Sequence, residues 1–137
     1  MQVRDGMSAV VLTVGPSHSL SAAARLMTDR NVGAAVVVDP DGPGFGIVTE
    51  RDILRSVAAG TDPSAEPVSA HLTEDLITAS PDWSLERAAE AMLEGGFRHL
   101  LVVNGGELEG ILSMRDIVRC WSGAQVGPAS AVQARST

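Results

Sequence analysis

Two short stretches, Thr49-Glu50-Arg51-Asp52 and Ser113-Met114-Arg115-Asp116, each set a hydroxyl three residues ahead of a carboxylate. Both follow a Gly and an aliphatic run, Gly46-Ile47-Val48 and Gly110-Ile111-Leu112, and both lead into Ile53-Leu54-Arg55 or Ile117-Val118-Arg119. The pattern predicts a strand handing over directly to a helix, with Thr49 or Ser113 at the N-cap, where a short hydroxyl accepts from free helix N–H groups. Two kinds of chemistry fit. The carboxylate can reach back to the cap N–H and complete a capping box, favoured by the helix dipole. Alternatively, hydroxyl and carboxylate form a polar rim for a ligand, the N–H groups suiting phosphate and the carboxylate suiting a pair of sugar hydroxyls.

Catalysis finds less support. His18, His71 and His99 are scattered, Cys120 is alone, and no zinc-ligand spacing occurs. There is no Gly-x-Ser-x-Gly elbow, Walker loop or dinucleotide fingerprint. Asp52 and Asp116 as an acid and base pair would need environments that push their pKa values apart, and nothing in the sequence does so. All 10 basic residues are Arg, so Schiff-base chemistry is absent as well. The chain is expected not to be an enzyme and to require no cofactor.

Composition narrows the remaining classes. The 137 residues suffice for one compact domain with a real core, and 45% hydrophobic content fits a globular protein. Aromatics are limited to Phe45, Phe97, Trp83 and Trp121, so the core must be aliphatic. A net charge of -7 argues against broad binding to nucleic acid or to an anionic membrane, which needs a dense cationic face. A lone Cys permits no internal disulfide and suggests a reducing compartment. The opening residues lead into no apolar h-region, and no run reaches the length of a membrane-spanning helix. The expected location is cytoplasmic, with neither nucleic acid nor membrane as partner.

The elements that must position the two Asp residues are themselves duplicated. At an offset of 65, Val3 falls on Val68, Thr13 on Thr78, Pro16 on Pro81, Ser19 on Ser84, Leu20 on Leu85, Met27 on Met92 and Val37 on Val102. From Gly46/Gly110 to Arg55/Arg119 the offset is 64, one residue having been lost in a loop. In the first copy, Val10 to Val14 reads as a strand. Leu20, Ala23, Ala24 and Met27 form a helical stripe ending near Asn31, and Ala34 to Asp39 is a buried strand. Pro40-Asp41-Gly42-Pro43-Gly44 is a turn, Phe45 to Val48 the returning strand, and Glu50 to Ala59 a helix.

In the second copy the strand is Leu76 to Ala79, and Ser84 caps a helix from Leu85 to Glu94 that Gly95-Gly96 stops. His99 to Val103 is the buried strand, Asn104-Gly105-Gly106 the turn, Leu108 to Ser113 the returning strand and Met114 to Trp121 the last helix. The fold class is α/β (α+β): two β-α-β-β-α repeats, each too small to bury its own sheet well, packed as a pseudo-twofold pair. The expected boundaries are residues 3–60 and 68–122 for the repeats, 61–67 for a linker and 123–137 for a flexible tail.

The paired Gly-Ile-Val/Leu-Thr/Ser-x-Arg-Asp-Ile segments, the Val-Val-Val-Asp and Leu-Val-Val-Asn strands and Phe97-Arg98-His99-Leu100, in this order and in duplicate, resemble a tandem pair of CBS (cystathionine beta-synthase) domains, also called a Bateman module. The resemblance runs from about Val3 to Trp121. It implies a regulatory module that binds adenosine-containing ligands (AMP, ADP, ATP, S-adenosylmethionine or NAD types) in two clefts between the repeats. Carried over, Asp116 holds ribose hydroxyls and Ser113 contacts ribose or phosphate, with Thr13, Val32 and Gly33 completing that cleft. Asp52 and Thr49 play those parts in the other, faced by Thr78, Phe97, Arg98 and His99.

Gly33 and Ala34 stand where the second repeat has Arg98 and His99. Charge-assisted contacts to phosphate need the latter pair, so the Asp52 cleft is expected to take the phosphorylated ligand. The chain departs from the family pattern in having Leu101 and Val36 where many members carry Pro, and Met114 where Glu50 is polar.

Each of these side chains also has a structural role open to it. Arg98 can stack on Phe97, His99 can bond a backbone carbonyl, and Thr13 and Thr78 can serve as β-branched strand formers. Arg51, Arg55, Arg115 and Arg119 can be solvated helix surface, dipole partners, or contacts to a second subunit's ligand. The functional classes are a stand-alone nucleotide sensor, a regulatory subunit for a separate enzyme or transporter, and a structural dimerisation module with non-functional clefts. The family commonly pairs modules, which implies a homodimer in which Met114 and Trp121 are core or interface.

Overall fold

The computed structural model describes residues 1–41, 45–72 and 78–125 of the chain. Along it run α1 (Val3–Gly6), β1 (Thr13–Val14), α2 (Leu20–Arg30), β2 (Ala34–Val38), β3 (Phe45–Thr49), α3 (Glu50–Ala58), a 3-10 turn (Val68–Ala70), β4 (Thr78–Ala79), α4 (Leu85–Gly95), β5 (His99–Asn104), β6 (Glu107–Ser113) and α5 (Met114–Gln125). The mixed α and β class and the duplicated β-α-β-β-α order are those expected. Two compact units result, one made of Val10–Leu76 and the other of Met1–Ala9 with Ile77–Thr137.

Each unit has a three-stranded sheet, ordered β1-β2-β3 or β4-β5-β6. The first two strands run parallel, joined across α2 or α4, and the third returns antiparallel. The central strand is buried, Ala34, Ala35, Val36 and Val37 in one unit and Leu100, Leu101 and Val102 in the other, with Ala35, Val37, Leu100 and Val102 packed into the helix-lined cores. This is why both read as continuous apolar runs. The tight β5–β6 turn is made by Gly105 and Gly106 at φ 60 and 84, the left-handed pair that a two-residue hairpin demands.

The helices begin and end on the predicted signals. Ser19 Oγ accepts from Ala22 N and Ser84 Oγ from Arg87 N, both at 3.1 Å. α2 ends at Asn31 in the left-handed conformation, the one non-Gly residue with positive φ among those described, and α4 ends at Gly96 likewise.

Several boundaries differ from expectation. The ladder of β1 holds only Thr13 and Val14, preceded by one bond from Val36 N to Leu12 O (2.9 Å). Val10 is exposed and has no place in that ladder, its β-branching notwithstanding. α5 extends beyond Trp121 to Gln125, since Ser122 to Gln125 contain nothing that breaks a helix except one tolerated Gly. Leu76 and Ile77 of the expected β4, Gly42 to Gly44 of the turn, and the tail beyond Gln125 lie outside the described residues.

The sequence did not announce α1 or the 3-10 turn as elements, and both turn out to be core pieces. Val3 is fully buried in a cluster with Ala79, Leu85, Ala88, Met92, Leu100, Leu112 and Ile117. Val68 is equally buried with Leu12, Val14, Leu20, Ala23 and Val48. Each repeat's opening segment therefore completes the core of the unit built mainly from the other repeat. Backbone bonds fix both: Val3 N to Trp83 O (2.7 Å) and Leu85 N to Met1 O (3.1 Å) in one unit, Val68 N to His18 O (2.7 Å) and Leu20 N to Glu66 O (2.9 Å) in the other.

Residues 61–67 are structured too. Thr61 Oγ1 donates to Ser56 O at 2.8 Å. Asp62 Oδ1 accepts from Ser64 Oγ (2.7 Å) and Ser64 N (3.0 Å), which together hold the Asp62 carboxyl below its ordinary pKa.

Candidate functional site

In the Val10–Leu76 unit, β3 delivers Thr49 to the first turn of α3. Thr49 has extended backbone geometry (φ -120, ψ 166), as an N-cap requires. Asp52 Oδ2 accepts from Thr49 N (2.8 Å) and from Thr49 Oγ1 (3.1 Å), and Thr49 Oγ1 accepts a longer bond from Asp52 N (3.4 Å). Asp52 is half-buried, and its second oxygen, Oδ1, has no hydrogen-bond partner among the described residues.

The register pairs Ala34 with Thr49, and Glu50 N donates to Gly33 O (3.0 Å), which brings the Val32–Gly33 approach beside the head of α3. Val32 is exposed just after the α2 C-cap. Thr13, exposed, lies on the far edge strand, with β2 between it and Thr49.

The second unit repeats the arrangement. Asp116 Oδ2 accepts from Ser113 N (2.8 Å) while Ser113 Oγ accepts from Asp116 N (3.0 Å). His99 pairs with Ser113 across the sheet, and Met114 N donates to Arg98 O (2.8 Å). Arg98 is exposed and His99 half-buried at the head of α5. Phe97 folds back on α4: a Cβ at Gly95 would run into its ring, so the ring covers that glycine. Thr78, exposed, pairs with Leu101 on the far side of β5.

The structure thus gathers Asp52, Thr49, Gly33 and Val32 around one helix head, and Asp116, Ser113, His99 and Arg98 around the other. Thr13 and Thr78 belong to the same sheets but two strands away, and Phe97 is committed to packing on Gly95. Chemically, each helix head offers a carboxylate beside a hydroxyl, and in one unit an imidazole on the adjoining strand and a guanidinium on the residue before it. Among the described residues no group of three His, Cys, Asp or Glu side chains is arranged to hold a metal ion.

The two carboxylates differ at their outer oxygen, Oδ1. Asp116 Oδ1 receives Arg119 Nη2 at 2.7 Å, one helical turn on. Among the described residues Asp52 has no such pairing with Arg55. An Asp-to-Arg spacing of three on a helix was the available signal for this ion pair, but both copies carry it and only one forms it.

The model of the CBS domain family matches residues 2–59 and 68–123. The CBS domain-containing protein YhcV of Bacillus subtilis is 39% identical over 116 residues, 84% of this chain and 81% of its own. An uncharacterised 17.7 kDa protein of Acidianus ambivalens is 37% identical over 110 residues, which span 80% of this chain but only 66% of that protein. Among solved structures, a CBS domain pair in complex with 5′-methylthioadenosine and S-adenosyl-L-methionine superposes with a TM-score of 0.82 at 25% identity, covering 91% of this chain and 98% of that one.

Proposed function

From a chain that belongs to the CBS domain family and carries its tandem pair, a regulatory module, we propose a sensor that binds adenosine-containing ligands and passes their presence to a partner protein. Asp52 and Asp116 serve as ribose acceptors, with Thr49 and Ser113 beside them. Arg98 and His99 meet phosphate. The observation that carries this reading is the economy of the Asp52 cap. One carboxylate oxygen completes the capping box and the other is left open, so helix capping and ligand holding are compatible rather than alternative. The solved relative bound to S-adenosyl-L-methionine and methylthioadenosine supports the ligand class.

No catalytic step is part of the proposal. A ligand acts by binding one conformation better than another, and it can shift the equilibrium only by that difference in affinity. The partner, an enzyme or transporter, reads the shift.

The test is thermal unfolding with AMP, ADP, ATP, S-adenosylmethionine, NAD and NADH, on the native chain, Asp52→Ala and Asp116→Ala. A ligand at ~100 times its Kd stabilises the folded state by about 2.7 kcal/mol. At roughly 4 °C per kcal/mol that is a shift of about 10 °C. We expect AMP, ADP or ATP to raise the midpoint and, because Asp52 Oδ1 is open while Asp116 Oδ1 is held by Arg119, Asp52→Ala to cancel more of the rise than Asp116→Ala. Ligand-independent midpoints throughout, after any ligand carried through purification has been stripped, would favour the second reading. In that reading the chain is a dimerisation module, for which exposed Leu54 and Val57 on α3 and Val118 and Trp121 on α5 speak.

A further inference from the structure

We propose that Arg119 is a built-in competitor for the ribose-binding face of Asp116, so that this carboxylate is self-occupied until a ligand displaces the guanidinium. The inference rests on the adenosine-binding reading and concerns the regulation of one of its two carboxylates.

Both oxygens of Asp116 are engaged within its own strand-helix junction: Oδ2 by Ser113 N at 2.8 Å, Oδ1 by Arg119 Nη2 at 2.7 Å. A cis-diol is recognised by donating both its hydroxyls to a carboxylate, and a charge-assisted guanidinium bond already on Oδ1 competes for that lone-pair density. The Asp116 side chain is 13% exposed while that of Arg119 is 66% exposed. The guanidinium can therefore leave for solvent at little cost, whereas the carboxylate stays where it is.

Asp52 is the internal control. It takes the same backbone cap bond on Oδ2, at 2.8 Å, has an Arg at the same spacing in Arg55, and has an Oδ1 with no partner among the described residues. The two carboxylates differ in readiness although the motifs around them match.

A neutral ligand isolates the effect, because adenosine carries no charge for salt or for Arg119 to act on directly. In an Asp52→Ala background, adenosine binding is titrated calorimetrically at low and high salt, with and without Arg119→Gln, and with Asp116→Ala as the blank. An exposed ion pair is worth a fraction of a kcal/mol to about 1 kcal/mol, so Arg119→Gln should tighten Asp116-dependent binding about two- to fivefold. Raising salt should tighten binding to the Arg119 protein, since screening weakens the competing pair, and should leave the Arg119→Gln protein unchanged. Arg119→Lys, which keeps the charge, should bind like the parent. Equal affinity with and without Arg119, or no salt response, overturns the competitor role while leaving adenosine binding intact. Adenosine and AMP binding to neither carboxylate, in any variant, overturns the functional reading itself.

Discussion

Gly110 has no room for a side chain. A Cβ there would lie 2.6 Å from Ser8 O and 3.0 Å from Met7 Sδ. The carbonyl cannot step aside, because Ser8 exchanges two backbone bonds with Ile111, at 2.9 and 3.0 Å. Gly110→Ala should therefore cost about 1–3 kcal/mol, read as a lowered urea midpoint. Gly105→Ala, with nothing within 4 Å but a φ of 60, should cost only the left-handed backbone term of about 1 kcal/mol. A Gly110→Ala midpoint equal to the native one would mean that Met7 and Ser8 are not fixed against β6. The caps set a second expectation: Thr49→Ala should lose about 1 kcal/mol with no ligand present. Ligand effects in cap variants are therefore measured as shifts from each variant's own midpoint. Both Asp residues and their hydroxyls were legible from spacing alone. The ion pair on Asp116 was not, because which rotamer Arg119 adopts is decided by local geometry that the sequence leaves open.

At the scale of elements, the reciprocal placement of Val3 and Val68 gives a test with a convenient reporter. Trp83 and Trp121, the only two tryptophans, both belong to the unit that contains Val3. Each Val→Ala removes buried methyl groups from a packed core, worth roughly 2 kcal/mol. Val3→Ala should lower the midpoint followed by tryptophan fluorescence more than Val68→Ala does, whereas far-ultraviolet circular dichroism should respond to both. Equal fluorescence shifts would indicate that the two units unfold as one cooperative body. The matching of Val3 with Val68 in the repeat was visible in the sequence. Their role was not, since a four-residue helix and a three-residue turn carry too little periodicity to be recognised, and nothing local says which core will receive them.

For the whole molecule, the exposed apolar side chains on α3 and α5 bear on self-association. Leu54 is 68% and Val118 56% exposed, and Trp121, foreseen as core or interface, remains open at 38%, whereas Met114 packs against the core. If these faces join two copies, Leu54→Glu with Trp121→Glu should convert a dimer to a monomer in light scattering and leave the circular dichroism spectrum unchanged. A native chain that is already monomeric at tens of micromolar would remove the homodimer from the proposal. What the sequence determined by itself was the repeat, and with it the order of strands and helices, the caps and the two Asp residues at helix heads. These are short-range properties, fixed by turn chemistry, by periodicity and by residues three apart. What only the tertiary structure decided was which core takes each opening segment, how close Ser8 approaches Gly110, and which of two like-spaced Asp–Arg pairs closes. Those depend on contacts between residues far apart in the chain, or on rotamers of nearly equal energy, and neither leaves a local pattern to read.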